Sequence, residues 1–257
     1  MRPETLALLC NSYKGEPFKR EGDTLVGVVS GQTFPIRQGI PVILDKPSHT
    51  AKNRFSQRLY DLTAFAYDPV VTWSSKLKLS SEEAIRQGYI ASFNIQPGQL
   101  VFESSIGTAS NILLLPDHAA YYGQDISWGM LKAAQRKFQK TGREIELFQG
   151  DGAYIPFRDG TFDLVFQMGS LQFYADPFRG VSEMARVAKP GTTIHILDEI
   201  SGAIRTLKRL PAHVKYATDG ETAVKAMTRL VPHSMQAIKS ETLPGGDFYA
   251  LTFQKPG

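Results

Sequence analysis

The sequence predicts an α/β fold. A doubly wound, mostly parallel sheet is closed by an antiparallel hairpin and preceded by a small β-rich module. Three observations carry this. From Gln99 onward short apolar strands alternate with helical segments, the pattern of βαβ units. Three successive predicted strands end in an acid or a glycine-bearing turn, at "ESSIG", "GQD" and "QGDG". The last runs, in "MQAIKSETLPGGDFYALTFQ", are two β segments around Pro-Gly-Gly, which makes an antiparallel pair.

Composition bounds the reading. A chain of 257 residues with 42% hydrophobic content can form one substantial core and a small extra module. The single cysteine, Cys10, excludes an internal disulfide and fits a reducing compartment. No apolar run reaches the ~18 residues of a membrane span. "MRPETLALLC" does not have the form of a secretory signal, so a cytoplasmic protein is expected. The net charge of +4 and pI near 9.0 come without a dense Lys/Arg block, which permits a nucleic-acid partner without indicating one. Oligomeric state is not encoded in any feature of the sequence.

The elements follow in order. Residues 1–46 are glycine-rich with short β-like runs, "DTLVGVVSG", "TFPI" and "IPVILD". Residues 47–96 turn helical: "NRFSQRLYDLTAFAY" has apolar residues at helix spacing, and "SSEEAIRQGYIASF" opens on serine and early acids. Residues 97–257 form the α/β part. "QLVFE" is its first strand, "SNILLL" a short helix stopped by Pro116, and "AAYYGQD" the second strand. "SWGMLKAAQRKFQKTG" is a long helix with Ser127 as N-cap and Gly142 just past its end. "IELFQ" and "FDLVFQM" are strands, and "PFRGVSEMARVA" is a helix capped by Asp176 with Pro177 first. "IHILDE" is the next strand; His195 within it reads as a buried structural histidine.

The loop after the first strand, Val101 to Asn111, places Gly107 where a positive φ is available and flanks it with small Ser105 and Ala109. Backbone N–H groups at a helix start can face a ligand there, although an ordinary tight turn has the same composition. Asp125 lies 18 residues past Gly107, the distance at which a carboxylate can accept ribose hydroxyls, and it also suits a helix cap. Asp151, followed by Gly152 and Ala153, can accept an exocyclic amine, or be a turn aspartate. Taken together the three tips favour a nucleoside-containing ligand.

"LVFESSIGTASNILLL", "YYGQDISWGMLKAA", "IELFQGDGAYIPFRDGTFDLVF", "GSLQFYADP" and "SEMARVAKPGTTIHILDE" together resemble the successive motifs of class I S-adenosylmethionine-dependent methyltransferases, in the branch that modifies quinones and phospholipids. The resemblance implies a seven-stranded Rossmann-like sheet with a terminal hairpin. It implies S-adenosyl-L-methionine as cofactor, S-adenosyl-L-homocysteine as product and a small-molecule substrate as methyl acceptor. Glu103 matches the acid that orders the loop and reaches the methionine amino group. Ser105, Gly107 and Ala109 match three glycines, and alanine at the third implies a methyl in the ligand's approach path. Asp125, with Ile126 beside it, matches the ribose acid. Asp151, Gly152 and Ala153 match the adenine side, and Gln167 and Met168 the methionine side. A histidine pair that many relatives carry after the fourth strand is replaced by "LQFY". Gln172, Tyr174 and Tyr67 are therefore the candidates near the acceptor, with Tyr60 as a further pocket residue, and each tyrosine also suits plain aromatic packing. "FAYDP" resembles the family's N-terminal lid.

"LLCNSYKGEPF…GVVSGQTFPIRQGIPVIL" resembles a zinc-ribbon module fused to, or partnering, some methyltransferases. Of its four metal positions only Cys10 remains; Tyr13, Gly27 and Ser30 stand at the others. One ligand cannot make a tetrahedral zinc site. A metal-free module held by Val26, Val28, Phe34, Ile36, Ile40 and Val42–Leu44 is expected. The alternatives are an rRNA or tRNA base methyltransferase, because zinc-ribbon fusions occur there, and a non-methylating cofactor binder such as a cyclase or pseudoenzyme. The absence of an "NPPY"-like sequence speaks against adenine-N6 or glutamine-N methylation.

Overall fold

The computed structural model describes residues 1–45, 80–207 and 220–257. Helix α1 (Pro3–Leu8) leads into five short strands: β1 (Cys10–Asn11), β2 (Glu16–Glu21), β3 (Thr24–Gly27), β4 (Thr33–Arg37) and β5 (Ile40–Ile43). Helix α2 (Ser80–Ala91) precedes the alternating part: β6 (Leu100–Ser104), β7 (Ala120–Asp125), α3 (Trp128–Thr141), β8 (Glu146–Gly150), β9 (Leu164–Met168), α4 (Pro177–Val187) and β10 (Thr193–Glu199). Helices α5 (Ile200–Leu207) and α6 (Gly220–Met227) and strands β11 (Gln236–Thr242) and β12 (Phe248–Gln254) complete it. "SNILLL" forms only a 3-10 turn, Ile112–Leu114. Residues 46–79, with Tyr60, Tyr67 and "FAYDP", lie outside the described residues.

Local chemistry sets the helix ends. The Ser127 hydroxyl accepts from Met130 N–H, and Gly142 closes α3 at φ 69°. The Asp176 carboxylate accepts from Arg179 N–H, and Pro177 opens α4.

The strands form one sheet in the order β1-β2-β3-β4-β5-β8-β7-β6-β9-β10-β12-β11. Strands β8, β7, β6, β9 and β10 are mutually parallel, while β12 runs antiparallel to both β10 and β11. The sheet therefore has twelve strands: the α/β part contributes seven, β8-β7-β6-β9-β10-β12-β11, and five more join them. The N-terminal strands are the reason: β5 pairs in parallel with β8, Val42 with Gln149 and Ile43 with Gly150, and carries β1–β4 with it.

Side-chain alternation along the strands builds two cores. Phe102, Tyr122, Phe148, Val165 and Ile194 face α4, where they meet Val181, Met184 and Val187. Their neighbours Val101, Tyr121, Leu147, Leu164 and Phe166 face α3, where they meet Leu131, Ala134 and Phe138. Each fully buried large side chain contributes about 1.5–3 kcal/mol. Phe157 is central to the first core: its ring centroid lies 4.8 Å from that of Phe162 and 5.0 Å from that of Phe148. In the second, the His195 ring packs on Phe93 with its Nδ1 3.1 Å from the Tyr89 hydroxyl, and burial holds its pKa down to about 4.

The buried apolar set of the N-terminal module is Leu9, Phe18, Leu25, Val26, Phe34, Ile36, Ile40 and Ile43, of which Ile40 packs in the second core and all but Val26 of the rest in the first. Val28 does not belong to it. β3 ends at Gly27, so Val28 and Val29 stand on the following turn, 52% and 85% exposed. Val42 and Leu44 are half-buried. Glu16 joins β1 to the turn after β3. Its Oε2 accepts from the N–H groups of Val29 (2.6 Å) and Ser30 (2.8 Å), and its Oε1 from Asn11 Nδ2 (3.1 Å) and the Ser30 hydroxyl. Those bonds, the Ser30 hydroxyl's first, hold its carboxyl below the usual range. Among the described residues no helix is long and apolar enough to cross a membrane.

Candidate active site

The carboxyl ends of β6, β7, β8 and β9 lie side by side, and the chain direction of travel across the sheet reverses between β6 and β9. Ligands of open α/β sheets occupy the crevice beyond such a reversal. All the described residues expected at the cofactor lie on these four strand ends or the loops that follow them.

Glu103 is on β6 and 1% exposed. Its Oε1 accepts from Asn111 Nδ2 at 2.6 Å, while among the described residues its buried Oε2 has no hydrogen-bond partner. Burial raises its pKa to about 8, against the smaller opposing effects of the Asn111 hydrogen bond and the Arg86 charge. Asn111 Oδ1 is likewise buried without a partner. Such atoms are rare in folded proteins because they cost about 1–3 kcal/mol each, so a pair of them marks a place for incoming donors.

The loop takes a left-handed conformation at alternate residues, with φ 55° at Ser105, 56° at Gly107 and 58° at Ala109. This conformation costs an L-residue about 1–2 kcal/mol. At Ser105 a side chain compensates: its hydroxyl donates to the Tyr174 hydroxyl at 3.0 Å, which also pairs with Ser104 Oγ at 2.7 Å. Ala109 is 0% exposed and packs with Ile106, Ile112 and Leu131. Its methyl thus faces the core, where the sequence had implied a methyl in the approach path.

Asp125 clips this loop to β7. Its Oδ2 accepts from Gly107 N–H and its Oδ1 from Ser127 N–H, both at 2.8 Å. Ser127 itself caps α3, so Asp125 is not the cap. Ile126 is half-buried, and its carbonyl accepts from Gln149 Nε2 at 3.0 Å. Asp151 folds its own turn, with Oδ1 accepting from Ala153 N–H at 3.0 Å and its carbonyl from Tyr154 N–H at 2.7 Å. The Gln124 amide braces that carbonyl at 2.7 Å. Gln167 is buried at the end of β9, its amide oxygen accepting the Ser170 hydroxyl and N–H at 2.6 Å in the orientation that satisfies both groups. Met168 beside it is half-buried.

Of the acceptor-side candidates, Tyr174 is 7% exposed, and its ring occupies the space that side chains at Gly152 and Gly180 would need. Burial pushes its pKa up to about 12, so the hydroxyl stays protonated. It links the tips of β6 and β8 from beneath. Gln172 is buried in the 3-10 turn Leu171–Phe173, whose first N–H is held by Asp198 Oδ2 at 2.9 Å. Tyr67 lies outside the described residues. Asn111, Arg179 and Tyr154 were not foreseen. Only Asn111, eight residues past Glu103 in the same loop, had a local signal.

Residues 102–196 match the family described as a methyltransferase domain. A demethylmenaquinone methyltransferase from Mycobacterium sp. (strain KMS) is 32% identical over 58% of this chain and 59% of its own. The chain thus spans about 59% of the length of that relative. A phosphatidylethanolamine N-methyltransferase from Cereibacter sphaeroides is 31% identical over 67% of this chain and 88% of its own. Among solved structures, the [4+2]-cyclase SpnF aligns with a TM-score of 0.60 at 16% identity, over 78% of this chain and 95% of its own. A Methanococcus maripaludis protein provisionally assigned as an S-adenosyl-L-methionine-dependent methyltransferase aligns at 0.57 and 18% identity, over 77% and 94%. These two likenesses concern the fold alone.

The strand-tip crevice and the matched domain define a nucleoside-cofactor enzyme of the α/β class. The chain belongs to the S-adenosylmethionine-dependent methyltransferase family with the class I fold.

Proposed function

We propose that the protein binds S-adenosyl-L-methionine across the tips of β6, β7, β8 and β9 and transfers its methyl group to a small-molecule acceptor, leaving S-adenosyl-L-homocysteine. The observation that carries this reading is the unpartnered Oε2 of buried Glu103, beside the unpartnered Oδ1 of Asn111. Both are acceptors, and an amino acid ammonium is the donor that fits them. Glu103 and Asn111 hold that ammonium. Asp125, with Ile126 beside it, takes the ribose hydroxyls. Asp151 takes the adenine amine, with Gly152 and Ala153 against the ring. Gln167 and Met168 border the methionine chain, and the Ser105–Gly107–Ala109 backbone approaches it.

When bound, the cofactor supplies a methyl already activated on a sulfonium. The chain's own residues have to orient it, align the acceptor atom and exclude water; positioning of that kind contributes on the order of 7–11 kcal/mol. Neither Gln172 nor Tyr174 serves as a base: the first is an amide, and the second keeps its proton to about 12. Tyr174 supports the loop instead. The relatives named for demethylmenaquinone and phosphatidylethanolamine both act on lipids, which favours an apolar small-molecule acceptor here.

Calorimetry with S-adenosylmethionine and S-adenosylhomocysteine tests the site. Transfer of a labelled methyl into a cell extract, separated into organic-soluble and RNA fractions, tests the acceptor. Label in the organic fraction is expected. Label in RNA would overturn the acceptor class, and binding without transfer would overturn the activity.

A further inference from the structure

We propose that the N-terminal module sets the geometry of the cofactor's adenine end, and that Tyr13 is the positioning residue through which it does so. This rests on the reading of the Asp151 turn given above. The turn lies in a segment that the module grips on both flanks. Before it, β5 pairs with Gln149 and Gly150, the two residues leading into Asp151. After it, Leu9 bridges Phe157, Cys10 N–H donates to the Pro156 carbonyl at 3.1 Å, and Arg158 N–H to the Leu8 carbonyl at 2.9 Å.

Between these grips stands one aromatic contact. The Tyr13 ring stacks on Tyr154 with centroids 4.3 Å apart and planes at 25°. The Tyr13 hydroxyl reaches the carbonyl of Ile43, the last residue of β5, at 3.4 Å. Tyr154 is the residue whose N–H closes the turn onto the Asp151 carbonyl. Arg179 completes the assembly: its guanidinium lies 4.0 Å from the Tyr154 ring centroid, and its Nε donates to the Ala153 carbonyl at 2.7 Å. Asp151, Gly152 and Ala153 thus have their backbone fixed by strand pairing on one side and by the Tyr13–Tyr154–Arg179 column on the other.

Tyr13 occupies a metal-ligand position of the ribbon-like pattern, yet its ring packs on Tyr154, the residue that closes the Asp151 turn. A turn that is only partly populated in its binding form lowers affinity by that fraction. Loss of the Tyr13 ring that leaves the binding form about one fifth populated predicts about fivefold weaker binding.

The test uses the full chain. S-adenosylhomocysteine, adenosine and the hypoxanthine analogue of S-adenosylhomocysteine are titrated calorimetrically against wild type, Tyr13→Leu, Tyr13→Phe, Val29→Ser and Asp151→Ala, beside thermal melts without ligand. Tyr13→Leu should weaken S-adenosylhomocysteine and adenosine by the same factor, about fivefold. It should also lower the preference for adenine over hypoxanthine, a ratio that general destabilisation does not move. Tyr13→Phe keeps the stack and should bind within twofold of wild type, as should Val29→Ser on the exposed turn. Loss of affinity in Asp151→Ala with none in Tyr13→Leu overturns this inference alone. Unchanged affinity in Asp151→Ala overturns the reading of the turn and this inference with it.

Discussion

The Tyr174 hydroxyl lies 3.0 Å from Ser105 Oγ and ties down a residue held at φ 55°, where glycine would be at ease. The tyrosine fits only because Gly152 and Gly180 leave room for its ring. Removing the hydroxyl leaves the buried Ser104 hydroxyl and the half-buried Ser105 hydroxyl short of a partner, a loss of about 1–3 kcal/mol. Tyr174→Phe should therefore lower the melting temperature and weaken the cofactor severalfold, while Ser105→Gly in the same background restores part of both. A large fall in kcat with binding unchanged would mean that Tyr174 acts on the acceptor.

Glu103 predicts a pH dependence of cofactor binding. In the free protein burial raises its pKa to about 8, so at neutral pH the carboxyl is mostly protonated. An arriving ammonium favours the carboxylate and lowers that pKa, so binding releases a proton below pH 8. Affinity should rise with pH, by up to tenfold per unit, until about pH 8. Above that the ligand's own α-amino group, with a pKa of roughly 7.7–8.0, loses its charge. Glu103→Gln should flatten the rise. Proton release measured in buffers of different ionisation enthalpy checks the sign.

The two strand-tip aspartates should separate. The Asp151 carboxylate accepts from Ala153 N–H, two residues on, whereas that of Asp125 ties Gly107 and Ser127 together. A charged hydrogen bond is worth about 1.5–3 kcal/mol, roughly ten- to a hundredfold in affinity. Asp151→Ala should lose that much affinity with a small change in melting temperature. Asp125→Ala should lose affinity and melt several degrees lower. Titration and ligand-free melts on the same samples distinguish them.

Glu16 makes an acid-sensitive joint. Its carboxyl is held below the usual value, so its contribution to stability is present above that ordinary value and is lost as pH falls through the lowered one. Glu16→Gln should melt lower than wild type at pH 7, and the gap should close below about pH 4.5, the ordinary carboxyl value. Chelators should leave the wild-type melting temperature unchanged, and elemental analysis should find no stoichiometric zinc. One zinc per chain would sink this account of the module.

What the sequence made legible was local or periodic. Ser127, Gly142, Asp176 and Pro177 sit where capping chemistry puts them, because each acts within one helical turn. The strand-tip acids could be placed because strand and loop are contiguous in the chain. Ala109 was misjudged: its place in the loop was visible, but the direction of its methyl depends on α3 packing behind it. Val28 was misjudged because an apolar run continues past Gly27 although the strand does not. The Ser105–Tyr174 bond spans 69 residues, and the stack of Tyr13 on Tyr154 joins different parts of the chain. No local pattern encodes such pairs. The joining of the module to the sheet was hidden for the same reason, since it rests on one short parallel pairing.

That pairing has a consequence for how the chain is made. β5 leaves the ribosome with its outer edge bare, and its partner β8 follows about a hundred residues later. At a synthesis rate of roughly 5–20 residues per second the edge waits about 5–20 s. Exposed edges recruit other strands, and proline is a common guard against this. Pro41, in the middle of β5, offers no N–H to a stray partner. β5 is thus placed only when the nascent chain reaches β8, and the Asp151 turn that follows β8 takes its shape at the moment the two strands meet.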